Sequence, residues 1–340
     1  MNANTEKQLN INDSLPRAAA VIVASRPLER EEAISDPGKD KQILPAMIKA
    51  GQVSFIERII IRFQMAGVAP IVVITGFESE TLEKHLARMS VVSLNNLHWR
   101  KTSVFDDAVK GLSYIDRTCK DCEKIFLATP LVPSVSTDSL SRLLVAKATV
   151  AVPVFEGEDG LPIVIRKDAV RGIARAEKGR TFADLVAVAP GTVERVELDD
   201  QGILSSIGDP DLFERAESQH ERALKLPMRV RPKLNLAREK VFFGPGPAVL
   251  LRLIDETGSV RTACLRMKLS YSKGWQILNL LEEQLGARVI VRKPGGQEGG
   301  SSTLTEIGRE LLQRYEQLSV ESQQSINALF DKIFEGFPAE

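Results

Sequence analysis

The chain has 340 residues, 45 Lys and Arg balanced by 45 Asp and Glu, and 43 % apolar residues, which is material for two folded cores. It contains no run of about 18 apolar residues, so the sequence offers no membrane-spanning helix. Three cysteines are too few for a disulfide-stapled fold, and residues 1–17 are polar without a signal-peptide core, so a reducing cytoplasm is expected.

After that polar start, expected to be disordered, the run AAAVIVAS over residues 18–25 reads as a buried strand. Residues 53–65 repeat Ile56, Ile59, Ile60 and Phe63 at helical spacing, and IVVITG over 71–76 reads as a second buried strand. A helix over 82–89, a strand over 91–94, a helix over 104–115 and a strand over 124–128 continue the alternation. Strands alternating with helices predict an α/β fold with a doubly wound, mostly parallel sheet, whose ligands bind at the carboxyl ends of the strands. Cys119 and Cys122 form a CxxC pair. No second pair or nearby histidine completes a four-ligand metal set, so the spacing is read as incidental and no metal site is expected. His85, His98 and His220 are scattered, and each is read as a surface or packing residue.

This first part resembles the MobA-like nucleotidyltransferases, which transfer nucleotides onto molybdopterin and onto sugar or polyol phosphates. The matching segments are KQILP at 41–45, FIER at 55–58, Asn95 or Asn96 with Lys101, Thr102, Ser103, Gly111 and Leu112, and the stretch from Gly202 through Pro210 to Phe213. The resemblance implies that Lys41 meets nucleotide phosphates. It makes Ser25, Arg26, Lys41, Asn95 and Thr129 the candidate ligand contacts, for a nucleotide or a molybdopterin-type ligand. Four departures weigh against catalysis. Ser25, Arg26, Pro27 and Leu28 stand where the family has a glycine-rich phosphate loop, and no glycine occurs before Gly38. Ala128 stands where an aspartate would hold the divalent metal. The closing segment reads SIGDP over 206–210, keeping Asp209 alone of an acidic pair, and Gly160, Leu161 and Pro162 replace a Gly-His-Pro. No catalytic residue is therefore assigned, and no cofactor is certain.

Residues 225–240, flanked by prolines and carrying Arg229, Arg231, Lys233 and Arg238, read as a basic linker. Residues 248–256 then form a helix through Val249, Leu250, Leu253 and Ile254, closed by Gly258, where glycine can take the left-handed cap. Ser259 caps a short helix through Val260, Ala263, Cys264 and Met267, and Ser270 caps a third. The third helix presents Tyr271, Ser272, Lys273, Gly274 and Gln276 in its first turns and buries Trp275, Ile277, Leu278, Leu281 and Leu285. RVIVR over 288–292 alternates as a strand does, KPGGQEGG over 293–300 is a glycine-rich turn, and residues 302–304 return. Helical patterns follow over 307–318 and 320–337. From residue 225 to 300 there are fourteen Lys and Arg against six Asp and Glu, an asymmetry that points to a polyanion partner.

This second part resembles the DNA-binding domain of ModE-type molybdate-responsive regulators, a branch of the LysR-like winged helices. The resemblance rests on LLRLIDETGS over 250–259, LSYSKGW over 269–275, GGQEGG over 295–300 and LTEIG over 304–308. It implies that double-stranded DNA is met by Ser270, Tyr271, Ser272, Lys273, Gln276, Arg292, Lys293 and Gly299. The expected organisation is a disordered start over 1–17, a transferase-like domain over 18–224, a linker over 225–240 and a winged helix-turn-helix domain over 241–337 ending in a dimerisation helix. The expected function is a homodimeric transcriptional regulator of molybdenum- or molybdopterin-related genes, with a transferase-fold domain that senses a small-molecule effector. The alternative is an active nucleotidyltransferase that also binds DNA.

Overall fold

The computed structural model describes residues 16–29, 42–50, 53–87, 89–176, 179–204, 228–230, 232–293, 301–335 and 337. The motifs at Lys41, at residues 205–227 and at residues 294–300, Gly299 included, lie outside the described residues.

Ala18–Val23 (β1) is buried along its whole length, as a strand covered on both faces must be. Phe55–Met65 (α1) begins at Ser54, whose hydroxyl accepts from the Glu57 N–H while Glu57 answers the Ser54 N–H. This reciprocal cap satisfies two of the free donors at the helix start. Ile71–Thr75 (β2), Ser79–Leu86 (α2), Val92–Asn95 (β3), Val104–Thr118 (α3) and Lys124–Ala128 (β4) complete the alternation expected from the sequence. They are followed by Thr137–Val145 (α4), Val150–Phe155 (β5), Glu158–Asp159 (β6), Ile163–Arg166 (β7), Val170–Arg175 (α5), Phe182–Val188 (α6) and Val193–Glu197 (β8).

These strands form one sheet in the order β6-β5-β7-β4-β1-β2-β3, with β8 beside β5. Strand β1 runs parallel to both β2 and β4, while β7 is antiparallel to β4 and β5. The fold class is therefore α/β with a mostly parallel sheet. The strand order reverses beside β1, so the crevice outside the carboxyl ends of β1 and β4 is the switch point where ligands bind in such sheets. Helix α3 crosses β1 so closely that a methyl group on Gly111 would stand 2.4 Å from Val21 Cγ1. Gly111, part of the transferase-like motif, thus serves helix-to-sheet packing.

Leu236–Ala237 (β9) pairs with Val241–Phe243 (β10), inside and just beyond the stretch read as linker. Phe243 is fully buried, and Leu234 and Leu236 pack on the same core, so this part of the basic segment belongs to the C-terminal structure. Pro245–Thr257 (α7) ends at Gly258 with φ +66°, the left-handed cap that the sequence called for. Val260–Arg266 (α8) is capped by Ser259, and Tyr271–Leu285 (α9) by Ser270, each hydroxyl accepting from the N–H three residues on. Ile290–Lys293 (β11) and Ser301–Leu304 (β12) form an antiparallel hairpin. Glu306–Ile333 (α10) is one continuous helix of 28 residues, where the sequence pattern suggested two stretches. No glycine or proline lies between Arg309 and Ile333, so nothing stops propagation at Leu318.

The C-terminal core gathers Phe243, Leu250, Leu251, Ile254, Ala263, Cys264, Leu278, Leu281 and Val289 from β10, α7, α8, α9 and the approach to the hairpin. Tyr315 of α10 closes it, edge-on to Phe243 at 5.0 Å, with its hydroxyl donating to the Leu234 carbonyl. The chain separates into two compact units. One holds residues up to Ile74 and resumes at Asn96; the other holds Thr75–Asn95 with the C-terminal third.

Candidate functional site

Helices α8 and α9 are joined by a tight turn. Met267 caps α8, Lys268 takes φ +54°, and the Leu269 N–H returns to the Cys264 carbonyl before Ser270 opens α9. This geometry projects Ser270, Tyr271, Ser272, Lys273 and Gln276 outward, and all five are exposed. Tyr271 lies edge-on to Trp275 at 6.0 Å, and Lys273 Nζ reaches Gln276 Oε1 at 3.5 Å. The opposite face carries Leu278 and Leu281, and also Gly274, which is buried. Arg292 and Lys293 lie on β11 opposite Ser302 and Ser301.

The cationic surplus of this region is partly spent internally. Arg252 binds Glu316 through Nε and Nη2 at 3.0 and 2.5 Å, with both side chains mostly buried. Arg266 pairs with Glu256 at 3.5 Å and is one-tenth exposed. Neither is free to meet a phosphate, a distinction that a count of charges misses.

In the first unit, the carboxyl end of β1 holds a closed polar network. Ser25 Oγ donates to Asp107 Oδ2 at 2.5 Å, Asn96 Nδ2 donates to Asp107 Oδ1 at 2.5 Å, and Arg26 Nη2 lies 3.3 Å from Asp107 Oδ2. Arg26 also donates to the carbonyls of Trp99 at 2.7 Å and Thr102 at 2.5 Å. Asp107 is almost wholly buried, so its carboxylate, with no water to solvate it, depends on these three donors. Ser25 and Arg26 thus both turn their side chains to Asp107, in a segment where the resemblance would place a glycine-rich phosphate loop. Asn95 turns elsewhere, its Nδ2 donating to Glu83 at 3.0 Å. Thr129 accepts the Leu131 N–H at 3.2 Å.

Asp107 was not singled out from the sequence, because nothing local distinguishes it from Asp106, which caps α3. Its partners are distant along the chain: Ser25 lies 82 residues away. Beside this network an open cleft of about 520 Å³ is lined by Arg26, Lys101, Thr102, Ser103, Val104, Asp106, Gly179 and Arg180. Lys101 and Arg180 line it with the carboxylate of Asp106, while Arg26 is already paired with Asp107, so the cleft carries a small cationic surplus that favours an anion.

The fold and these sites define a two-part chain: an α/β unit built on a mostly parallel sheet, and a mainly helical unit with two short two-stranded hairpins. The sheet part is similar to a nucleotidyl transferase from Methanothermobacter thermautotroptrophicus, at 19 % identity and a TM-score of 0.50, over 61 % of this chain and 99 % of that one. At that identity the likeness speaks for the fold alone. The chain is also similar to the molybdenum transport protein ModE of Azotobacter vinelandii, 30 % identical over 86 residues, covering 25 % of this chain and 32 % of that protein. It is 32 % identical over 95 residues to the DNA-binding transcriptional dual regulator ModE of Escherichia coli, covering 28 % of this chain and 36 % of the regulator. The molybdenum-pterin-binding protein MopB of Rhodobacter capsulatus is 30 % identical over 105 residues, or 31 % of this chain and 38 % of that protein. The chain thus spans about a third of the length of the curated relatives it matches. No protein-family model matches it. Among the described residues, no helix is long and apolar enough to cross a membrane.

Proposed function

We propose that this chain is a cytoplasmic DNA-binding transcriptional regulator of molybdenum- or molybdopterin-related genes. Its α/β unit keeps a nucleotidyltransferase fold, has lost the chemistry, and senses a small anionic effector. The observation that carries the reading is the exposed row of Ser270, Tyr271, Ser272, Lys273 and Gln276 on the first turns of α9, after a tight turn from α8. A recognition helix meets the major groove with those turns. The hairpin of β11 and β12 is then the wing, with Arg292 and Lys293 as its phosphate contacts and Gly299, outside the described residues, as a further contact. The printed functions of the ModE relatives support the regulatory and molybdenum parts of the reading.

Loss of chemistry rests on Ala128 at the metal position and on the Ser25, Arg26 and Asp107 network in place of a phosphate loop. The effector site is the cleft of Arg26, Lys101 and Arg180, with Lys41 as a further contact from outside the described residues. A second copy of the chain covers the end of α10, where Leu329, Ile333, Phe334 and Phe337 are exposed. Such a side-by-side array of apolar groups is costly to leave in water.

Fluorescence anisotropy with duplexes selected from a random library tests the reading. Lys273→Ala lowers affinity about fivefold on every sequence and reduces the salt slope by about 0.9, the signature of one lost phosphate contact. Gln276→Ala relaxes preference at one base pair, since a bidentate contact to a base discriminates by about 1–3 kcal/mol. A footprint of two half-sites a whole number of helical turns apart checks the dimer. The same protein with magnesium, nucleoside triphosphates and a molybdopterin or sugar-phosphate acceptor releases no pyrophosphate above background. Steady turnover would favour the active transferase, and affinity that ignores both substitutions would remove α9 from the groove.

A further inference from the structure

Cys119 and Cys122 lie where α3 ends and β4 begins, away from the polar network and from α9. Cys119 is the C-cap of α3, its N–H bound to the Ile115 carbonyl, and its φ of −100° with ψ of 99° takes the chain out of the helix. The turn that follows brings Cys122 back, with its sulfur 3.7 Å from the Cys119 carbonyl oxygen. That thiol donates to the carbonyl, which holds Cys122 within the same turn that carries Cys119. Lys167, in the turn after β7, donates its ammonium to the carbonyls of Cys119 and Lys120, which fixes a positive charge over the same turn. The nearby carboxylate of Asp121 is exposed and paired with Arg17 at 3.6 Å. Neither cysteine is in a disulfide in this structure.

The two thiols are unequal in the way an exchange reaction needs. Cys119 is half-buried and can be reached from solvent, whereas Cys122 is 4 % exposed. The Cys122 thiol, the backbone N–H groups of Cys122 and Asp121, and Lys167 outweigh burial and bring the Cys119 thiol down to about 7. Its interaction with Cys119 and its burial push Cys122 up. A thiolate is the nucleophile in disulfide exchange, and it attacks best when its pKa lies near the ambient pH.

We propose that Cys119 and Cys122 form a thiol–disulfide exchange site whose co-substrate is a small disulfide of the glutathione class. The Cys119 thiolate attacks one sulfur of that disulfide. The sulfur–sulfur bond of the small molecule breaks, one thiolate leaves, and a mixed disulfide joins Cys119 to the other half. Cys122 gives its proton to the departed thiolate and attacks the Cys119 sulfur. The second half leaves as a thiolate and takes up the proton that Cys119 had lost to solvent. Two protein thiols become one disulfide, and one small disulfide becomes two thiols, so electrons and protons balance. Three features support this order: the more accessible cysteine is the activated one, the resolving cysteine is held within the same turn, and it is shielded from a second small molecule.

The test uses the full native chain with excess oxidised glutathione, followed by alkylation and peptide mass analysis. The expected product of the unaltered protein is a Cys119 to Cys122 disulfide without retained glutathione, while Cys264, 1 % exposed, stays reduced. Cys122→Ser stops at one glutathione on Cys119, and Cys119→Ser takes up none. Iodoacetamide labelling of Cys119 in the unaltered chain rises with a midpoint near 7, and in Cys122→Ala, which removes the thiol donor, that midpoint moves higher. Circular dichroism of each variant confirms that it is folded. The proposal is overturned if both thiols of the unaltered chain stay reduced, if it accumulates a stable mixed disulfide, or if Cys119→Ser acquires glutathione at Cys122 as fast as the unaltered chain does at Cys119.

Discussion

Replacing Asp107 by alanine is expected to lower the stability of the first unit by about 3–4 kcal/mol while leaving the C-terminal unit's own transition in place. The carboxylate is 1 % exposed and accepts from Ser25, Asn96 and Arg26. Its removal strands two donors that no other acceptor fully replaces. Ser25 is 0 % exposed, and Asn96 Nδ2 is left with its bond to Thr102 Oγ1 at 2.6 Å, while Asn96 Oδ1 still accepts from the His98 N–H at 2.9 Å. A buried polar group left without a partner costs about 1–3 kcal/mol. The Arg26 part adds less: its side chain is 28 % exposed, so solvent screens the pair, and it retains the carbonyls of Trp99 and Thr102. Asp107→Asn keeps one carbonyl oxygen as an acceptor and is expected to cost about half as much. Urea denaturation followed by far-UV circular dichroism, with Trp99 fluorescence reporting this unit, checks both. A loss below about 1 kcal/mol for the alanine variant would show that the network is not holding the end of β1.

The parallel half of the sheet, β1 to β4, was legible in the sequence because its signals are local, whereas β5 to β8 were not read there. A run such as Ala18–Val23 is apolar throughout, as a strand covered on both faces demands, and each helix carries its spacing within a few turns. The caps at Gly258, Ser259 and Ser270 were legible for the same reason, since each acts on a backbone group within four residues. The Asp107 network was not, because its chemistry is assembled by the crossing of β1 and α3 from residues 82 positions apart. Nor could a count of charges separate Arg252 and Arg266, held in internal pairs, from Lys273, which faces solvent. The hairpin of β9 and β10 lay hidden in a segment whose prolines and arginines read as linker, although Phe242 and Phe243 were the hint of a buried strand. The arrangement of α9 was half legible. Its polar row was placed correctly on the surface, but Gly274 sits within that row in sequence and points the other way.

That inward glycine predicts a reversal of the usual helix rule. In an open helix, Gly→Ala stabilises by about 1 kcal/mol, because alanine has less backbone freedom to lose. A methyl group on Gly274 would stand 2.1 Å from Cys264 Sγ, inside the C-terminal core. Cys264 is 1 % exposed and belongs to the same buried core as Leu278 and Ala263, so its sulfur has to give way within packed surroundings. Overpacking of this kind costs about 1–3 kcal/mol, so Gly274→Ala is expected to destabilise the C-terminal unit by about 1–2 kcal/mol net. Gly274→Val, bulkier and β-branched, is expected to cost more than 3 kcal/mol and to push α9 off α8, with at least a tenfold loss of operator affinity. Cys264→Ala supplies the decisive control. It removes the sulfur and leaves the Cys264 Cβ 3.8 Å from the new methyl group, an ordinary van der Waals contact. The pair Gly274→Ala with Cys264→Ala is therefore expected to regain the helix preference for alanine and to melt at or above the temperature of Cys264→Ala alone. A coupling of about 2 kcal/mol in that double-mutant cycle, read from thermal and urea unfolding of the C-terminal unit, identifies the contact. If the two substitutions simply add, the close approach of α8 and α9 at Gly274 is not what sets the pose of the exposed row from Ser270 to Gln276.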